Sequence, residues 1–126
     1  MNWDVVPDED EIAVVQDLNM GRVLRLALDT AAALTRRTHI DARFILSRNL
    51  FHRFLCDPAL ASSLMPSRLG IGHQVWGLDV SADGNLQDLE LAVEFQMSDT
   101  INCRCHFRVD GGEPQLVWTR TASRFA

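Results

Sequence analysis

The densest string of chemically capable side chains is Cys103-Arg104-Cys105-His106. Two thiolates and an imidazole are zinc-type ligands, but a tetrahedral site needs a fourth donor. No second Cys-x-x-Cys or His-x-x-x-His supplies one. Read as a strand, the string puts Cys103 and Cys105 on the same face as Ile101, Phe107 and Val109, and His106 on the opposite face. The three side chains then cannot converge on one ion. The expectation is two inward-facing, reduced thiols without metal, and no cofactor.

A second group emerges from strand parity rather than from contiguity: His73, Glu94, Arg104, His106 and Arg108. A histidine oriented by Glu94 has the makings of a general base, and Arg104 beside it of an anion clamp. The same residues also make an ordinary charged outer face of a half-exposed sheet. Between these, the group reads as a contact surface rather than a catalytic one, with no catalytic residue assigned. His39-x-Asp41 and His52 are further acid–base types, but no spacing brings a partner to them. Gly70-Ile71-Gly72 is followed next by Gly77 and by a strand-like run, which is not a dinucleotide fingerprint. Gly-x-Ser-x-Gly, His-Glu-x-x-His and Walker A patterns are absent. All 12 basic residues are Arg, and there is no Tyr. That removes Schiff-base chemistry, pyridoxal attachment, a P-loop lysine and a tyrosine acid.

These side chains sit in a chain of 126 residues, within the range of one domain. Its 17 acidic residues outnumber the basic ones and leave a formal net charge of −5, which argues against direct nucleic-acid binding. Mimicry of nucleic acid would need clustered carboxylates, and the only run is Asp8-Glu9-Asp10-Glu11, read as a solvated turn in an irregular segment over 1–10. Met1-Asn2-Trp3-Asp4 has neither the basic nor the apolar stretch of a signal peptide, and no apolar run approaches the ~18–20 residues that span a bilayer. A cytoplasmic protein with no membrane contact is the expectation, with its three cysteines reduced.

Periodicity places the elements. A short apolar stretch over 12–16 suits a strand. Met20, Val23, Leu24, Ala27, Leu28, Ala31 and Leu34 form one helical stripe in a segment over 20–37, capped by Asn19. Residues 39–46 alternate as a strand. Ser47 caps a helix over 48–56, and Asp57-Pro58 starts a second short helix that ends before Met65-Pro66. From there the pattern is β: strands over 72–81, 86–97, 101–109 and 115–124. Turn signals at Ala82-Asp83-Gly84-Asn85, Ser98–Thr100 and Asp110-Gly111-Gly112-Glu113 make these a four-stranded antiparallel meander.

Register follows from keeping both apolar rows on one core, since a one-residue slip inverts every side chain. It pairs Phe95 with Cys103, Leu91 with Phe107, Phe107 with Leu116 and Cys105 with Trp118. On the outer face it pairs Glu94 with Arg104 and Glu90 with Arg108, and brings His73 near Glu94. Trp76 and Trp118 are expected in the core. Trp3 is either a core cap or an aromatic anchor for a partner.

The fold class is therefore α+β: one long and two short helices on one face of a mainly antiparallel sheet, in a single domain. In outline, the long helix, short helices and meander resemble the cone-shaped folds related to nuclear transport factor 2, which implies a ligand or active site in a concavity. The stretch over 48–80 resembles segments of tailed-phage capsid and other virion proteins, which implies a role in assembly. The expected function is a non-enzymatic interaction or assembly protein, such as a phage virion or accessory component, with a protein partner or a homo-oligomer. The alternatives are a cone-type small-molecule binder or enzyme, and an acidic inhibitor or immunity protein.

Overall fold

A computed structural model describes residues 18–57, 60, 65–66, 73–98 and 100–123. The first helix, α1 (Met20–Thr35), begins where Asn19 accepts the Arg22 N–H at 3.0 Å. It buries Met20, Val23, Leu24, Ala27, Leu28, Ala31 and Ala32; Leu34 is exposed. It stops two residues short of the expected end because Arg36 turns left-handed (φ 56°). The Arg37 guanidinium then donates to the Met97 carbonyl at 2.8 Å, fastening the turn to the sheet.

The expected strand over 39–46 shortens to β1 (Ala42–Leu46), because His39–Asp41 forms a 3₁₀ turn. Local polar bonds favour that turn: Thr38 Oγ1 donates to Asp41 at 3.0 Å, and His39 Nε2 lies 2.9 Å from Asp29. Ser47 then caps α2 (Arg48–Cys56) by accepting the Leu50 N–H. The Asp57 side chain accepts the Leu60 N–H at 3.4 Å, in the sense expected of an Asp57 cap. The rest of the expected second short helix lies outside the described residues, as do the expected strand over 12–16, the acidic run and Trp3.

The remaining elements are strands: β2 (Met65–Pro66), β3 (His73–Val75), β4 (Leu78–Ala82), β5 (Glu90–Gln96), β6 (Ile101–Asp110) and β7 (Glu113–Ser123). They form one mixed sheet in the order β2-β3-β4-β1-β5-β6-β7. This corrects the four-stranded meander in two places. The run over 72–81 breaks into a hairpin at Trp76-Gly77, where both residues have positive φ (53° and 80°), the backbone of a tight two-residue turn. And β4 does not pair with β5: β1 lies between them, parallel to β4 and antiparallel to β5.

Ser47 and its neighbours account for the insertion. The connection over 83–89 crosses the end of β1, with the Asp83 N–H on the Leu46 carbonyl, Ser47 Oγ on the Asp88 carbonyl at 2.7 Å and the Ser47 N–H on the Glu90 carbonyl. The chain is thereby delivered to the far side of β1. Gly84 faces the Arg48 guanidinium so closely that a Cβ there would lie 2.9 Å from it.

The core lies between the helices and the inner face of the sheet. Phe44, Leu46, Val80, Leu91, Val93, Phe95, Cys105 and Phe107 are all buried there against α1 and α2. Cys103 and Cys105 point inward as expected, and both are free thiols. Trp76 is not in the core. It is 42% exposed at its hairpin, edge-on to Phe44 and beneath the Arg25 guanidinium.

Candidate functional site: the outer face of the sheet

The helices cover the inner face of the sheet, so the outer face is the broad surface left for polar side chains. On β5 and β6 the register is as expected: Glu94 opposite Arg104, Glu90 opposite Arg108, Phe95 opposite Cys103 and Leu91 opposite Phe107. Alternation therefore sends Glu90, Glu94, Arg104, His106 and Arg108 outward together.

Two ion-pair nodes result. Glu94 accepts Arg43 Nε at 2.9 Å and Nη2 at 2.6 Å through one carboxylate oxygen, and Arg104 Nη1 at 3.2 Å through the other. Glu90 lies 3.2 Å from His106 Nε2 and 3.6 Å from Arg108 Nη2. It also accepts the Gln87 backbone N–H at 2.8 Å. That backbone bond, with the hydrogen bond from His106 and the positive charges of His106 and Arg108, holds the Glu90 carboxyl below its ordinary value; partial burial opposes the shift without reversing it. On the inner side, burial pushes the Cys105 thiol up, against the bond from Thr119 Oγ1.

Three residues complete the face, and the sequence reading did not place them. Arg43 arrives on β1, in the position expected for His73. His73 pairs with Val80 instead, and its ring lies 5.6 Å from Phe51 of α2. It belongs to the helix-covered side because the Trp76-Gly77 turn pairs it with the buried Val80, and β4 and β1 stand between it and Glu94. Trp118 and Arg120 arrive through a register shift between His106 and Phe107: Phe107 opposes Leu116, but His106 opposes Trp118 and Cys105 opposes Thr119. The extra residue, Val117, reverses the parity of the strand beyond it. Trp118 thus leaves the core for the outer face, where its ring stacks on His106 at 4.8 Å and 7° and the Arg120 guanidinium lies 4.7 Å from the ring centroid. The ring stack gives the bulge its physical reason, since Trp118 finds a flat partner outside where a threonine fills the smaller space opposite Cys105.

Across the middle of the face, four guanidinium groups (Arg43, Arg104, Arg108 and Arg120) meet two carboxylates, and the exposed pair Asp110–Glu113 closes its hairpin end. Each carboxylate is shared between two basic side chains. His106 is 6% exposed, with Nε2 turned to Glu90, and Nδ1 is buried without a hydrogen-bond partner. Arg104 Nε is orphaned in the same way. The other acid–base types lie elsewhere: His39 on Asp29, Asp41 on Thr38, and His52 with its Nε2 3.7 Å from Cys56 Sγ on α2. Among the described residues, no three His, Cys, Asp or Glu side chains gather as a metal site. No helix there is long and apolar enough to cross a membrane.

No family model, no curated protein and no solved structure matches the chain.

Proposed function

We propose that this is a non-enzymatic interaction or assembly protein that takes its partner on the outer face of β1, β5, β6 and β7, and that the partner presents carboxylates there. The observation that carries the reading is the row of four guanidinium groups across the middle of this face, beside the stacked rings of His106 and Trp118. Arginine suits such a contact because its planar fork makes paired hydrogen bonds to carboxylate while its stem covers apolar surface. Arg43 and Arg108 are more than half exposed, so a partner can reach them without rearranging the sheet. The stack of His106, Trp118 and Arg120 offers the flat aromatic anchor typical of contact centres. A virion component, a cytoplasmic adaptor and a homo-oligomer would all use the face in this way.

The test is the paired replacement Arg104→Ser and Arg108→Ser, with circular dichroism as the check on fold. Native mass spectrometry of the protein isolated from its own cell should show a bound partner or higher oligomer that the double variant loses. An assembly state unchanged in the variant removes this face from consideration.

A further inference from the structure

One outward row crosses β1, β5, β6 and β7 as Arg43, Glu94, Arg104 and Arg120, each residue directly opposite the next. Charge alternates along this row as far as Arg104 and then repeats. Arg104 and Arg120 form a cross-strand pair of two guanidinium side chains, and like charges so placed repel. The two side chains part accordingly. Arg104 reaches back to Glu94 on β5, while Arg120 folds over the Trp118 ring.

No carboxylate answers this pair. Glu94 already takes two bonds from Arg43, and it holds Arg104 by a single bond at 3.2 Å. Among the described residues no ion pair includes Arg120. Asp110 and Glu113 stand at the hairpin end, six residues along β6 and seven along β7, so about 20 Å away. The same place holds two buried nitrogen atoms without a hydrogen-bond partner, Arg104 Nε and His106 Nδ1. His106 is the next outward residue of β6, and its side chain is more than nine-tenths buried. A like-charge pair beside two unsatisfied buried nitrogens is a cost that an acceptor oxygen removes.

We infer that Arg104 and Arg120 seat one carboxylate between them, supplied by a Glu or Asp side chain of the partner, with Trp118 as the flat wall of the seat. Arg104 can turn from Glu94 to the incoming carboxylate, because Arg43 keeps Glu94 paired. Its Nε and Nη edge then makes the paired bonds that it lacks, and the bound charge turns a repulsive pair into a bridged one. A singly charged carboxylate is favoured over a doubly charged oxyanion by the net charge of −5 on the chain. The inference rests on the proposed function and deepens it by naming the seat within the face.

The test titrates the full chain, at fixed ionic strength, with N-acetyl-glutamate α-amide and with its neutral isostere N-acetyl-glutamine α-amide. Nuclear magnetic resonance follows the Trp118 indole N–H and the Arg104 and Arg120 Nε–H signals. The glutamate probe should shift them saturably, and the glutamine probe should not. Arg104→Gln and Arg120→Gln should each weaken binding about tenfold. Arg22→Gln, at the hairpin end, should leave it unchanged. Arg120→Glu builds an opposite charge into the chain across from Arg104. That variant should melt about 2–5 °C above Arg120→Gln and should no longer bind the probe.

Equal response to the two probes, binding that survives Arg120→Gln, or an Arg120→Glu variant no more stable than Arg120→Gln overturns the inference. So does tighter saturation by sulfate than by the glutamate probe, which makes the seat one for a tetrahedral oxyanion. Binding that Arg43→Gln or Arg108→Gln abolishes while Arg120→Gln does not overturns the seat and leaves the face as an acidic-partner surface. Failure of the face itself reads differently: the Arg104→Ser, Arg108→Ser protein then keeps its partner in native mass spectrometry, and both readings fall.

Discussion

The two halves of the sheet are built by different rules. In β5, β6 and β7 each strand pairs with its neighbour in sequence, and the Gly111-Gly112 turn has the two positive φ values that a tight hairpin needs. In the other half, β1 pairs in parallel with β4 across an intervening helix and hairpin, and β2 to β4 contribute only short strands. Register in the first half is a matter of alternation and turn length. In the second it depends on a segment distant in sequence, β1, occupying the edge of β5. The seam between the halves is β1 with Ser47, and it contributes Arg43 to the functional face.

The largest expected effects test whether the halves unfold together. Phe44 and Phe107 are fully buried, one in the seam strand and the other within β5–β7. Truncating either to Ala should cost about 3–5 kcal/mol. Urea denaturation followed by both tryptophan fluorescence and far-ultraviolet dichroism should give one coincident transition in each variant. A transition that splits only in Phe44→Ala would show that β5–β7 with α1 holds together without the other half.

Ser47→Ala strikes the seam itself. It removes the helix cap at a fully buried serine and takes the hydroxyl donor from the Asp88 carbonyl, at a cost of about 1–2 kcal/mol. A loss no larger than that of an exposed serine would mean the crossing over β1 is held elsewhere. Arg43→Ser should cost less, about 0.5–1 kcal/mol, because Arg104 keeps Glu94 paired and Arg43 is largely solvated.

Acid sensitivity should be traceable to the face. Glu90 has its carboxyl lowered in the folded protein from an ordinary 4.5. Its contribution is therefore complete above that value and is lost as the pH falls through the lowered one. Stability against pH should fall off below about 4.5, and Glu90→Gln should flatten that fall without altering the slope above pH 6. A parent and variant with identical acid limbs would put the acid response in other carboxylates. The smallest effect is on reactivity. Alkylation of the native protein followed by mass spectrometry should modify Cys56 and leave Cys103 and Cys105, with all three reacting in denaturant.

Much of the first half was legible in the residues themselves. The caps at Asn19 and Ser47, the stripe of α1, the limits of α2, and the pairings of Glu94 with Arg104 and Glu90 with Arg108 follow from local spacing. So does the separation of Cys103 and Cys105 from His106. Misplaced were His73, Trp76 and Trp118, each for a non-local reason. Trp76 occupies a left-handed turn that its residue type does not advertise, and His73 is separated from Glu94 by two strands, β4 and the distant β1. Trp118 is displaced by one extra residue in β7. Arg43 was recognisable as the charged member of an alternating strand, but nothing nearby in sequence names Glu94 as its partner.

By itself the sequence determined the periodic elements, their caps, and the inner and outer rows of β5 and β6. Those depend on interactions within a few residues or across one tight turn, where the side-chain period leaves a single acceptable register. The tertiary structure alone decided that β1 enters the sheet, that Arg43 rather than His73 completes the Glu94 node, and that Trp118 turns outward to stack on His106. Each of these is a choice between distant segments that local propensity ranks equally. It is settled by how all the strands together can bury Phe44, Phe95 and Phe107 under the two helices while the cationic side chains remain on the open side.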